Sequence, residues 1–383
     1  MNEKSNNRDT EDPRISVEAR PTVISYSRSP IRLVGGVIIT LTLVIAVAFF
    51  VLNGDQIIQR TPKNDRQHVA TMSRVAANAV QTLNQEPCHR TAIIQLILAY
   101  KKAQKTRAIV NEINRFEQLC APLPEARYDH IQALLVLSEF KAALPIANTF
   151  VVENPAAPDA WATRAKVEEH LGDLESASHD LRQALALFPD PSRVVASSWY
   201  RLTEVLSRRG RFCEAVTPLQ TFVSFDPAKR RTQQILTLLA DLRLKGNCIQ
   251  SGKVREEKLR FPPGALALVV DAKINGVTGR FVVDTGASNV ALTHEYANRA
   301  GLSAKDSRVL TINTANGPIK AKTSYADTIT LGSLTARQVF VNILPPSEHG
   351  FGGEIDGLLG LSFLGNFDFS LRNGILVLAT PKG

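Results

Sequence analysis

A chain of 383 residues is longer than one ordinary domain needs, so two or three folded units are expected and a single small domain is excluded. Hydrophobic residues at 44% and charged residues at 21% exclude a wholly disordered, collagen-like or multi-spanning membrane chain. The 45 Lys and Arg against 36 Asp and Glu leave a net charge of +9, but no basic cluster with interleaved aromatics occurs along the chain, so nucleic acid is not an expected partner.

Residues 1–32 mix both charge signs with Pro, Ser and Asn and carry no apolar period, which reads as a disordered cytoplasmic tail. Residues 33–52, LVGGVIITLTLVIAVAFFVL, hold no charge over the length that crosses a hydrocarbon core. A buried core helix rarely stays uncharged all round for so long. A cleaved signal peptide fits less well too, because the apolar run continues past Ala46-Val47-Ala48 to Leu52. The expectation is a single uncleaved transmembrane helix in an inner (plasma) membrane. Arg28 and Arg32 before it orient the N-terminus to the cytoplasm and everything after it to a periplasm or equivalent oxidising space. Residues 53–86 follow as a linker and helical lead-in.

Over residues 87–250 apolar side chains recur at helical spacing, punctuated by Pro, Asp-Pro and Gly. The clearest unit carries Trp161, Ala165, Gly172, Ala177, Ala184 and Pro189. Its small residues let two helices approach, its Gly turns the chain and its Pro ends the second helix. This pattern resembles the tetratricopeptide repeat. It recurs upstream at Ala143 and Pro155, the latter 34 residues before Pro189, and downstream at Trp199, Gly210, Ala215 and Pro227. The expected fold is an all-α tetratricopeptide-like solenoid of three or four repeats with a capping helix at 231–245; a generic helical bundle is the alternative. Arrays of this kind offer a concave face to peptides and proteins, so a protein partner is expected on the repeats. Cys88 and Cys120 stand about one repeat apart, as do Cys213 and Cys248. In a solenoid that spacing brings the start of a hairpin beside its end or its neighbour, so a disulfide within each couple is expected, against four buried free thiols.

After an expected linker at 251–259, residues 260–383 change character. Alternating and β-branched runs at 265–272, 279–283, 309–314, 327–331, 339–344 and 375–378 predict strands, with tight turns at Asn275-Gly276, Asn316-Gly317 and Asn373-Gly374. Only 294–300 and 362–366 leave room for helix. Within this region stands FVVDTGAS, residues 281–288. Asp284 ends a buried strand, the hydroxyl of Thr285 follows, and Gly286 lets the backbone turn with its N–H groups facing the carboxylate. Two such loops face to face hold two carboxylates of which only one readily ionises, and such a dyad activates a water.

Asp-Thr-Gly-Ala-Ser behind an apolar strand resembles the active-site signature of retropepsin-like aspartic proteases. Leu358-Leu359-Gly360 matches a second element of that family, two apolar residues and a glycine beneath the active loop, and the Asn316-Gly317 turn falls between them, where the family's flap belongs. The resemblance implies an all-β barrel over 260–383. It also implies a catalytic Asp284, a Thr285 hydroxyl bonding across a homodimer, and a loop shaped by Gly286 with Ala287 and Ser288. The flap would be Thr314, Ala315, Asn316, Gly317 and Pro318, closing over a protein or peptide substrate.

No cofactor or metal is expected, since none of the seven histidines stands in a metal-ligand spacing. Asp356 is a candidate second carboxylate, but Asp-Gly before an apolar run is more simply a turn. Ser288 has no G-x-S-x-G context, and His294 fits a helix surface better than a serine triad. The expectation is therefore a membrane-anchored aspartic endopeptidase, active as a homodimer with one Asp-Thr-Gly per chain. The alternative is a non-enzymatic envelope scaffold whose repeats bind partners while the β domain dimerises or binds peptide.

Overall fold

The computed structural model describes residues 74–249, 255–261, 267–302, 308–314, 317–346, 351, 354–372 and 374–381. The apolar run at 33–52 lies outside the described residues. Among the described residues no helix is long and apolar enough to cross a membrane, which removes the transmembrane helix from the fold as described.

Among the described residues eleven α-helices precede the β region: α1 (Arg74–Gln85), α2 (Arg90–Lys102), α3 (Thr106–Leu119), α4 (Arg127–Val136), α5 (Phe140–Glu153), α6 (Pro158–Leu171), α7 (Leu174–Ala186), α8 (Ala196–Arg208), α9 (Phe212–Ser224), the short α10 (Pro227–Arg230) and α11 (Gln233–Gly246). Each of α1 to α8 packs on the helix that follows it, and α9 packs on α11, giving a tetratricopeptide-like array. Close approach is possible because Ala143, Ala160, Ala165 and Ala177 sit at the contacts with no exposed surface. Gly172 caps α6 in the left-handed region at φ 80°, a conformation that a Cβ disfavours. Asp173 then accepts the N–H of Ser176 and starts α7. The array has two apolar clusters, one centred on Leu96, Tyr100 and Leu134 and one on Trp199, Leu206 and Leu219. Disulfides join Cys88 to Cys120 and Cys213 to Cys248.

The β region holds β1 (Glu256–Arg260), β2 (Leu268–Ile274), β3 (Val277–Val283), β4 (Val290–Leu292), α12 (His294–Arg299), β5 (Val309–Thr314), β6 (Gly317–Leu331), β7 (Leu334–Ile343), β8 (Gly357–Leu359), α13 (Leu361–Leu364), β9 (Asp368–Arg372) and β10 (Ile375–Ala379). In β2 the side chains of Leu268, Val270, Ala272 and Ile274 are buried and those between them exposed, the period-2 pattern of a strand with one covered face. The turn to β3 places Asn275 and Gly276 both at positive φ, as a two-residue hairpin requires.

Expected as a barrel, this domain is not a closed one. Seven strands run in the order β2-β3-β8-β4-β7-β6-β5, and β1-β10-β9 form a separate three-stranded sheet. The larger sheet rolls until β2 meets β6 over two residue pairs, Lys273 with Thr330 and Ile274 with Ile329, while β5 continues past that meeting as an edge. The expected linker at 251–259 also ends in structure, since β1 pairs in antiparallel register with β10 from Glu256–Ala379 to Arg260–Ile375. Its sequence, EEKLR, is the charged kind that edge strands carry and has no apolar run to announce it.

The described array and β region belong to one compact unit. Arg243 of α11 donates to the Gly365 carbonyl at 2.6 Å, and the Arg337 N–H donates to the Cys248 carbonyl at 2.9 Å. Glu214 of α9 is buried, where it pairs with Arg182 of α7 and accepts the Tyr325 hydroxyl of β6 at 2.8 Å. Burial and the neighbouring Glu214 charge push the Tyr325 phenol up to about 12.

Candidate active site

The Asp-Thr-Gly loop leaves β3 and returns as β4, yet the two strands are not neighbours. Between them lies β8, parallel to β3 and antiparallel to β4. The loop must therefore cross the end of β8, and that crossing positions its residues. The Asp284 N–H donates to the Leu359 carbonyl at 3.1 Å. The Leu361 N–H donates to Ala287 at 2.8 Å and the Ser362 N–H to Ser288 at 2.9 Å. Leu358, Leu359 and Gly360 thus lie directly against the loop that holds Asp284, Thr285, Gly286, Ala287 and Ser288.

Gly360 is required by space rather than by φ. A Cβ there would stand 2.4 Å from the Asn289 carbonyl oxygen and 2.7 Å from that of Ala287, both backbone atoms that cannot swing away. Beneath it Leu359, Leu361, Phe363 and Leu364 are buried and form the floor of the loop.

At the tip, Asp284 is half-buried while Thr285 and Gly286 are exposed. The Gly286 N–H donates to Asp284 Oδ1 at 2.8 Å, so the turn aims a backbone dipole at the carboxylate. The carboxylate is thus held half-buried at the tip of the crossed loop.

Asp356 takes a different role. Its side chain accepts from Arg299 at 2.7 Å and from the Arg280 N–H at 3.0 Å, and its carbonyl accepts the Thr293 N–H at 2.9 Å. It ties β3 to α12, so it is a structural carboxylate rather than a partner for Asp284. His294 opens α12, away from any serine triad, and among the described residues no group of His, Cys, Asp or Glu is placed to hold a metal.

Of the candidate flap, β5 and β6 pair up to Thr314 with Gly317 and Asn313 with Pro318, with the Thr314 hydroxyl donating to the Gly317 carbonyl at 2.8 Å. Ala315 and Asn316 lie outside the described residues.

Two supporting residues escaped the sequence reading. Buried Ser362 accepts the Val290 N–H at 2.9 Å through Oγ, fixing the far end of the loop. Buried Tyr296 donates to the Val277 carbonyl at 2.6 Å and meets Phe281 edge to face at 5.1 Å, bracing the strand that delivers Asp284. Burial holds the Tyr296 phenol up to about 12. The signal for Tyr296 was a large aromatic in an otherwise polar short helix; Ser362 carried none, because its role exists only once β8 lies between β3 and β4.

Residues 270–363 match the aspartyl protease family. An uncharacterized protein from the cobV 5′ region of Sinorhizobium sp. is 35% identical over 99 residues, covering 25% of this chain and 40% of that protein. A solved retropepsin-like aspartic protease from Rickettsia conorii is 27% identical and covers 34% of this chain and 94% of that one, with a TM-score of 0.29. YrrB, a tetratricopeptide-repeat protein with an unusual peptide-binding site, is 15% identical and covers 44% of this chain and 81% of that one, with a TM-score of 0.37. The chain spans less than half the length of the curated relatives it matches. The β region is thus similar to the aspartyl protease family over residues 270–363, and it follows a tetratricopeptide-like array.

Proposed function

We propose that the protein is an aspartic endopeptidase, acting on protein substrates as a homodimer. The observation that carries this reading is the seating of Asp284-Thr285-Gly286 on Leu358-Leu359-Gly360, which holds one half-buried carboxylate at the tip of a rigid crossed loop. Asp356 is committed to Arg299 and the Arg280 N–H, so it does not serve that loop as a second carboxylate. A copy of the loop across a two-fold axis supplies it.

Two carboxylates so placed share one proton, because both cannot readily ionise side by side. The ionised Asp284 takes a proton from water as the oxygen attacks the peptide carbonyl. The protonated Asp284 of the partner subunit polarises that carbonyl, and the proton gained is passed to the leaving nitrogen. The β5–β6 hairpin serves as the flap, and the repeat array gathers the protein substrate or a partner on its concave face. The disulfides Cys88–Cys120 and Cys213–Cys248 support a working compartment that is oxidising.

The test is hydrolysis of unfolded protein by the full chain and by Asp284→Asn. A loss of about a thousandfold or more, with unchanged thermal stability, is the expected result. Equal cleavage by both chains contradicts the reading, and no cleavage by either favours the scaffold alternative.

A further inference from the structure

The β5 strand is the outer edge of the seven-stranded sheet, and an edge strand presents unpaired N–H and C=O groups at every second residue. Here two of those groups, and two neighbouring side chains, are taken up by a helix of the repeat array. The Val309 carbonyl accepts from His179 Nε2 at 3.0 Å, and the Thr311 N–H donates to Gln183 Oε1 at 2.8 Å. Asn313 Nδ2 donates to the Ala186 carbonyl at 2.6 Å, and Arg308 donates to Ser176 Oγ at 2.9 Å.

These contacts are in register. From 176 to 186 the helix α7 advances ten residues, about 15 Å. From 308 to 313 the strand advances five steps, about 17 Å. The partners follow the same order along both elements, so α7 runs beside β5 as a neighbouring strand would. On the helix, 179, 183 and 186 lie at i, i+4 and i+7, one face. Ala186 is its last residue, whose carbonyl has no partner within the helix, and Asn313 fills that vacancy. Gln183 is itself 2% exposed, a buried amide whose oxygen is spent on the strand.

Behind this seam lies a cleft of about 530 Å³, lined among others by Arg182, Arg209, Arg308, Tyr325 and Phe340. Two of its charges are paired, Arg182 with Glu214 and Arg209 with Glu175, while Arg308 bonds the Ser176 hydroxyl. Arg182 also stacks over the Phe340 ring at 4.1 Å.

We propose that Gln183, with His179, is a positioning residue for the protease: through α7 the repeat array holds the outer strand of the flap and so sets where the flap can close. The proposal rests on reading β5–β6 as the flap. Its consequence is that the array and the β domain act as one device, since a strand pinned from Val309 to Asn313 cannot swing away from the helix as a whole.

The experiment uses the full chain, with Gln183→Met, which keeps the size and removes the acceptor, and Gln183→Glu, which keeps the acceptor. Amide hydrogen exchange at Thr311 reads the bond directly and needs no enzymatic activity. Loss of one hydrogen bond should raise exchange at Thr311 about tenfold in Gln183→Met. Amides of β2 and β3 should be unchanged, and Gln183→Glu should restore protection. Exposed Asn313→Asp, which turns a donor into an acceptor facing the Ala186 carbonyl, should loosen the same strand. Hydrolysis of a quenched-fluorescent pool of apolar decapeptides should then show KM raised severalfold in Gln183→Met with kcat changed less. Unchanged exchange at Thr311, or deprotection spread evenly through the β region, overturns the clamp. Raised exchange with unchanged KM overturns the positioning role. If the wild-type chain and Asp284→Asn cleave the pool equally, the protease reading fails, while the exchange data still decide whether α7 holds β5.

Discussion

In the helical array the contacts that set the shape are made by Ala143, Ala160, Ala165 and Ala177, each allowing two helices to approach, and the same device is repeated along the chain. In the β domain the decisive contacts occur once: Gly360 against two carbonyls, Ser362 on Val290, the Gly286 N–H on Asp284. A repeated device spreads its stability over neighbouring units, so losing one contact weakens one interface. A crossed loop has no such reserve, because a shift at Gly360 reaches Asp284 through three residues. The difference tells where substitutions should act on stability and where they should act on chemistry.

Substitutions in the two regions should differ in size of effect. The largest effect on stability is expected where the two regions join, at Cys213–Cys248, whose carbonyl-bearing end receives Arg337 from the β domain. Closing a loop of this length stabilises by about 4 kcal/mol in the chain-entropy account. Cys213→Ala with Cys248→Ala should lower the denaturant midpoint accordingly, and an unchanged midpoint would mean that the joint is held by packing alone. Next comes Gly360→Ala, expected to cost about 2–3 kcal/mol by overpacking against backbone. It should also abolish hydrolysis, because the loop cannot move without moving Asp284. Its counterpart in the array, Ala165→Gly, should cost only about 1 kcal/mol and leave hydrolysis intact. If both substitutions behave alike in unfolding and activity assays, the contrast fails.

The smallest effect is one of pH. Burial, and then the nearby Asp180 charge, push the Glu168 carboxyl up to about 8, with Arg164 only partly opposing them. The folded chain therefore holds a proton that the unfolded chain releases in the ordinary carboxylate range. The stability this proton supplies is full below that range and is lost as pH rises towards 8. The melting temperature should fall by a few degrees from pH 5 to 8, and Glu168→Gln should flatten that slope; an unaltered slope would show Glu168 to be ionised throughout.

The two regions also differed in how much their sequences revealed. Array helices were legible because Trp161, Ala165, Gly172 and Ala177 repeat a pattern whose physical basis is local. In the β region the strands with apolar runs were legible, as was the loop at Asp284, because Asp-Thr-Gly and Leu-Leu-Gly are rare in combination. The edge strand β1 was not, since Glu256, Glu257 and Lys258 give it the composition of a linker. The barrel expectation failed where β5 runs past the meeting of β2 and β6, because sheet closure depends on long-range register that no local pattern records. The clamp of β5 by α7 was hidden for the same reason: Gln183 and Thr311 lie 128 residues apart, and neither is distinctive in its own segment.

In the proposed dimer two Asp284 side chains, one from each chain, make one catalytic centre. Mixing wild-type chains with an equal amount of Asp284→Asn chains, under conditions where subunits exchange, tests it most directly. If only dimers with two aspartates hydrolyse peptide, the total rate should fall to about a quarter of that of the same total chain concentration of wild type. A rate of about half would mean that each chain acts alone, and would contradict the account.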